Sequence, residues 1–197
     1  GKSKIYVNGK LLAEHFGGYL PVVVDVTDAL EFGKENLIAV WADNSNDPNY
    51  PPGKQQEVLD FTYFGGIYRD CWLIAHNQVF ITDPNYENEE AGGGLFVAYN
   101  NVSDHSAEVL LKIQIRNSRR KAFKGVVEYE LQQPDGQQVA SLNSVIRIKP
   151  GKSTYSSDKL TVKSPMLWSP ENPALYNLIV RIRDEKGNPI DGYRRRI

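Results

Sequence analysis

The chain has 197 residues, enough for one large domain or two small ones. Hydrophobic residues make up 41% and charged residues 24%, and 23 Lys and Arg stand against 24 Asp and Glu, for a formal net charge of -1. That balance gives no support for nucleic acid or an anionic membrane as partner, and no apolar run approaches the length of a membrane span.

The first block reads as strands. Ile5-Tyr6-Val7 runs into Asn8-Gly9, a strong hairpin signal, and residues 10–13 return antiparallel. Residues 22–26 form a β-branched run that predicts a strand, and residues 28–32 suit at most one short helical turn. Residues 36–43 are apolar on both alternate faces. Leu37, Ala39 and Trp41 lie on one, and Ile38, Val40 and Ala42 on the other. Such a strand is buried on both sides, or a second domain covers its outer face. Residues 44–54 carry Asn-Asp-Pro-Asn and Pro-Pro-Gly and read as a long ordered loop, the kind of segment that carries binding on a rigid sandwich.

Residues 60–70 read Asp60-Phe61-Thr62-Tyr63-Phe64-Gly65-Gly66-Ile67-Tyr68-Arg69-Asp70. Paired glycines among aromatics let the backbone turn sharply or approach another surface closely. A strand is expected over 68–75, with Arg69 and Asp70 at its start. Cys71 lies in the apolar run Cys71-Trp72-Leu73-Ile74, so a buried, inert thiol is expected. As the single cysteine it excludes an intramolecular disulfide.

A second block starts near Asn77. Strands are expected over 79–82, 107–117, 126–131, 139–141, 145–148, 153–162 and 175–183, with a last one ending near Ile197, and residues 84–94 form an acidic, glycine-rich connection. In 107–117, Val109, Leu111, Ile113 and Ile115 point one way, and Glu108, Lys112, Gln114 and Arg116 the other. That alternation marks a half-buried antiparallel strand. About seven short strands with regular turns describe an immunoglobulin-like sandwich. In Leu167-Trp168-Ser169-Pro170-Glu171-Asn172-Pro173-Ala174-Leu175-Tyr176 two prolines hold the chain extended, and Trp168 is expected to anchor this turn in the core.

Other chemistry is sparse. His15, His76 and His105 share no metal-ligand spacing with each other or with Cys71. Asn101-Val102-Ser103 fits the glycosylation pattern, which is frequent by chance. Glu57, Glu89 and Glu171 sit in turn-rich sequence and do not read as a catalytic pair.

Both the Gly-Gly run and the Trp-Ser-Pro run resemble signatures of glycoside hydrolase family 2, the family of β-galactosidases, β-glucuronidases and β-mannosidases. Tyr6 to Lys10, His15, Gly17-Gly18-Tyr19 and Asp25-Val26-Thr27 follow the same order as in the family's first domain. The resemblance implies an all-β chain of two β-sandwiches. A truncated galactose-binding-like jelly roll (1–77) would precede an immunoglobulin-like sandwich (78–197). It implies a parent enzyme, most similar to the β-galactosidase branch, that cleaves terminal β-linked sugars with retention. Retention requires two carboxyls about 5–5.5 Å apart. In the family both glutamates sit on a following barrel, so this chain alone is expected to be inactive. It opens on Gly1 without an initiator Met and reads as a segment of a longer protein. The rival class is a carbohydrate-binding or adhesion sandwich without catalysis.

On the resemblance, the substrate-binding candidates are Asp70, Arg69, Tyr68 and Phe64; Arg69 is either a ligand or a brace at a domain interface, and Phe61, Tyr63, Phe64 and Tyr68 either stack on sugar faces or pack against the missing domain. Asp70 either accepts hydrogen bonds from sugar hydroxyls, and can then ligate a cation of the parent enzyme, or forms a structural charge set with Arg69. No cofactor is expected in the chain itself. The expected partners are a carbohydrate substrate, the catalytic barrel and a second copy of the chain, without nucleic acid or membrane. Compartment is open, bacterial cytoplasm and periplasm both being compatible.

Overall fold

The structure, a computed structural model, describes residues 1–62 and 64–197. The chain is all-β and divides into two compact units, Gly1–Leu73 and Ile74–Ile197.

The first unit, the partial jelly roll, holds three antiparallel strands: β1 (Lys2–Val7), β2 (Lys10–Phe16) and β3 (Ile38–Asp43), in the order β2-β1-β3. Asn8 and Gly9 turn the β1–β2 hairpin with φ of 50° and 80°, the geometry a two-residue loop requires to match strand twist. Asn8 also ties the sheet to later chain. Its amide donates to the Ala29 carbonyl (3.0 Å) and Asn36 Oδ1 (2.8 Å), and its Oδ1 accepts from Leu37 N–H (2.9 Å).

Four expectations fail here. Residues 22–26 are irregular, because a β-branched run forms a strand only when another strand supplies hydrogen-bond partners. Residues 68–75 are likewise irregular, and Cys71 is exposed rather than buried. Of the two readings of residues 36–43, burial on both sides fails: Leu37, just before β3, is 69% exposed, and Trp41 is 46% exposed. The short helical turn does form, as a 3-10 turn over Thr27–Ala29.

The second unit is an immunoglobulin-like sandwich. One sheet runs β11 (Pro189–Arg196), β10 (Asn177–Asp184), β7 (Phe123–Gln132), β8 (Gln138–Ile148). In the other, β6 (Ser106–Asn117) pairs along its whole length with β9 (Lys152–Lys163). Its opposite edge is shared by β4 (Val79–Ile81) and β5 (Leu95–Asn100). The expected breaks within 139–148 are absent, since β7 pairs with that segment throughout as one strand. Strand β5 was not expected; its pairing with β6 completes the sheet.

The alternation in β6 sets the core. Val109, Leu111, Ile113 and Ile115 are buried and face Val127, Tyr129 and Leu131 of β7 and Leu178, Val180 and Ile182 of β10. Gly125 lets β7 and β10 approach closely. A Cβ there would lie 2.2 Å from the Arg183 carbonyl oxygen. Trp168 does not join this core and is 59% exposed. Tyr176 from the same motif packs against the core instead, and its hydroxyl accepts from Met166 N–H (2.7 Å).

Candidate functional site

The Gly-Gly segment of the first unit is held by its neighbours rather than by a strand ladder. Gly66 has φ of +74°, which favours glycine, and a Cβ on Gly65 would fall 2.6 Å from Asn44 Nδ2, so a larger residue there would have to displace the Asn44 side chain. Past that turn, the Tyr68 hydroxyl donates to the Gly18 carbonyl (2.6 Å), joining the Gly-Gly run to the Gly17-Gly18-Tyr19 loop. The Arg69 guanidinium lies 5.3 Å from the Tyr68 ring centroid, within cation–π range. Arg69 and Asp70 are exposed, and Phe64 is 68% exposed. The segment thus offers an aromatic ring capped by a cation, a carboxylate and further apolar surface, the chemical elements of a sugar-binding wall. Tyr63 lies outside the described residues. The structure ties Tyr68 and Arg69 to each other. No hydrogen bond, ion pair or ring contact joins Asp70 or Phe64 to them among the described residues.

The neighbouring loop, 44–54, is docked on β1 and β2. The Tyr50 ring stacks on Phe16 (centroids 4.6 Å apart, 15° between planes), and Lys2 Nζ pairs with Asp47 Oδ2 (2.5 Å). That pair holds the Asp47 carboxyl below its usual value, and the Asn49 amide adds to the effect.

In the second unit, the sequence reading missed two buried amides. Gln114, in the row expected to face solvent, is 3% exposed. Its Oε1 accepts from Thr82 Oγ1 (2.6 Å), and its Nε2 donates to Glu89 Oε1 (3.2 Å) and the Tyr155 hydroxyl (3.1 Å). The Tyr155 hydroxyl also donates to Glu89 and accepts from Gly93 N–H. These bonds clasp the loop that follows α1 (Pro84–Glu87) over the sheet. The Tyr155 hydroxyl, and after it the Gln114 amide, hold the Glu89 carboxyl below its ordinary value. A general acid at neutral pH needs the opposite shift.

Asn117, fully buried, does the same at one end of the sandwich. Its Nδ2 reaches the carbonyls of Lys121 (2.9 Å), Ile148 (3.2 Å) and Lys149 (3.3 Å), and its Oδ1 accepts from Arg119 N–H (3.0 Å). Neither amide carried a signal beyond being a polar residue in a strand. No group of three or more His, Cys, Asp or Glu side chains suited to a metal occurs among the described residues.

A three-stranded sheet with an exposed aromatic and charged segment, followed by an immunoglobulin-like sandwich, is the arrangement shared with the proteins this chain is similar to. The family model for glycosyl hydrolases family 2 matches residues 94–197, more than half of the chain, which belongs to that family. A β-glucuronidase of Formosa agariphila is 30% identical over 193 residues, covering 96% of this chain and 19% of the relative. A β-galactosidase of Thermoanaerobacter pseudethanolicus is 30% identical over 181 residues, covering 91% of this chain and 22% of the relative. The crystal structure of Bacteroides uniformis β-glucuronidase is similar with a TM-score of 0.85 at 30% identity, over 99% of this chain and 22% of that one. The chain therefore spans about a fifth of the length of the proteins it matches.

Proposed function

We propose that this chain is the non-catalytic, substrate-walling part of a retaining β-glycosidase that removes terminal β-linked sugars. The observation that carries the reading is the unbroken likeness of both units to β-glycosidases of which they form about a fifth. The acid/base and nucleophile that retention requires would come from elsewhere in the whole protein. In this reading, Tyr68, Arg69 and Phe64 shape one side of the sugar site, and Asp70 accepts hydrogen bonds from sugar hydroxyls or ligates a cation. A β-galactoside as substrate is supported by the resemblance carried by residues 65–70. A β-glucuronide is the second reading, favoured by the β-glucuronidases among the relatives.

The test uses nitrophenyl β-galactoside and β-glucuronide with the 197-residue chain and with a longer protein that contains it. The chain is expected to turn over neither. The longer protein is expected to cleave one of them with retention. In it, Asp70→Asn should lower kcat/KM by about one to two decades, the loss of a charge-assisted hydrogen bond of about 1.5–3 kcal/mol. Turnover by the chain itself, abolished by a point change within it, would overturn the reading. An Asp70→Asn enzyme within twofold of wild type but with lowered Tm would make Asp70 structural.

A further inference from the structure

The net charge of -1 conceals a strong local segregation. Residues 118–124 read Ser-Arg-Arg-Lys-Ala-Phe-Lys, and residues 147–152 read Arg-Ile-Lys-Pro-Gly-Lys. Together they hold seven basic residues and no acidic one. The two stretches are distant in sequence but meet at one end of the second unit. Strands β7 and β8 pair Lys124 with Arg147, and β6 and β9 pair Asn117 with Lys152. Asn117 then fastens the 118–122 turn to the 149–151 turn through the carbonyls of Lys121, Ile148 and Lys149. The basic side chains are thus displayed by two turns locked to each other from beneath.

Arg120, Lys121, Lys124, Arg147, Lys149 and Lys152 are exposed, and Arg119 is half-buried. Among the described residues, one of the seven is neutralised: Lys124 pairs with Glu185 at 2.5 Å. Asp184, the neighbouring acid, is spent on its own turn, accepting from Lys186 N–H and from Asn188. Gln78, Ser118, Arg119, Arg120 and Lys121 line an open notch of about 410 Å³ beside the patch.

We infer that this end of the sandwich binds an anionic polysaccharide, through carboxylate or sulfate groups carried along an extended sugar chain. The Arg guanidinium forks suit either group bidentately, and the lysines add point charge without demanding one geometry. Spaced exposed cations with little neutralisation gain affinity by releasing counterions from a polyanion, so binding should be strongly salt-dependent. A single-stranded nucleic acid fits less well. Such sites interleave cations with exposed aromatic platforms. The aromatic of this patch, Phe123, is 3% exposed and lies beneath the Arg119 guanidinium (5.5 Å). The choice of a glycan rests on the proposed glycosidase reading, whereas the binding measured below needs no turnover.

The test is direct binding of the 197-residue chain to polygalacturonate, heparin, neutral dextran and a single-stranded oligothymidylate, at low and at near-physiological salt. Binding to one or both acidic polysaccharides but not to dextran is expected, weakening about tenfold or more as salt rises. Preference for polygalacturonate would identify carboxylate as the group read, and preference for heparin would identify sulfate. The paired change Arg120→Glu with Lys121→Glu, and independently Lys149→Glu with Lys152→Glu, should each lower affinity about tenfold. A control pair in the first unit, Lys10→Glu with Lys54→Glu, should change it less than about twofold. All are exposed, so folding is not at stake. No binding to either acidic polysaccharide at low salt overturns the inference. So does an equal loss in the control pair, or tighter binding to the oligothymidylate.

Discussion

Replacing Asn117 with alanine removes a side chain that is fully buried and bonded on both its polar atoms. Its amide has two hydrogens shared among three carbonyls, and its oxygen accepts one backbone N–H, so about three full hydrogen bonds are lost. Each contributes about 1 kcal/mol net, and the Ile148 carbonyl, left in a buried position, adds a desolvation penalty of about 1 kcal/mol or more. The expected loss is therefore roughly 3–4 kcal/mol, a large share of the stability of a domain this size. Native-state hydrogen exchange on the intact chain can read it unit by unit. Amides of β6 to β9 should lose protection by that amount, while amides of β1 and β2 keep theirs. Asn117→Asp should cost at least as much, because a carboxylate would face three carbonyl oxygens. If Asn117→Ala changed protection in the second unit by less than about 0.5 kcal/mol, the bonds would not be what holds the two turns together. The reasoning that joins the turns into one surface would then fail.

Gly125→Ala should destabilise the second unit by roughly 3 kcal/mol in the same experiment. Its Cβ would meet the Arg183 carbonyl at 2.2 Å, and β10 would have to move away from β7. A pH dependence follows from Glu89. Its folded carboxyl sits below the ordinary value of 4.5, so the folded state binds fewer protons than the unfolded one through that range. Its contribution is complete above about pH 4.5 and is lost as pH falls through the folded value. The Tm difference between wild type and Glu89→Gln should therefore shrink on acidification from about pH 6 to about pH 3. A difference that is constant with pH would refute the role. In the first unit, Ile38, Val40 and Trp41 lie exposed on a three-stranded sheet, with exposed Leu37 just before it, and its outer strands pair with no further strand among the described residues, a combination that favours association. Sedimentation of the chain should show concentration-dependent self-association. A monomer with slow exchange throughout residues 4–75 would contradict it.

Much of the second unit was legible from residue order alone. Strict alternation in 107–117 identifies a half-buried strand because side-chain direction reverses at every residue, a purely local geometry. Asn8-Gly9 announces its turn for an equally local reason, the ease with which both residues take positive φ. The Gly-Gly and Trp-Ser-Pro runs carried the family resemblance, and through it the all-β class. Tertiary structure alone decided which faces are covered and which segments find partners. Residues 22–26 and 68–75 have strand composition but no partner strand among the described residues, whereas Leu95–Asn100 is a strand because β6 offers it an edge. Gln114 stands in an outward row yet is buried, because the loop after α1 folds back over it. Trp168 has core composition yet is exposed, whereas Tyr176 of the same motif packs against the core. The basic surface, too, belongs to the fold. Two unremarked charge runs become one patch when strand pairing and a buried asparagine bring their turns together. Alternation and turn chemistry act over a few residues and survive in the sequence. Burial and charge clustering depend on contacts between distant segments, and those exist only once the chain has folded.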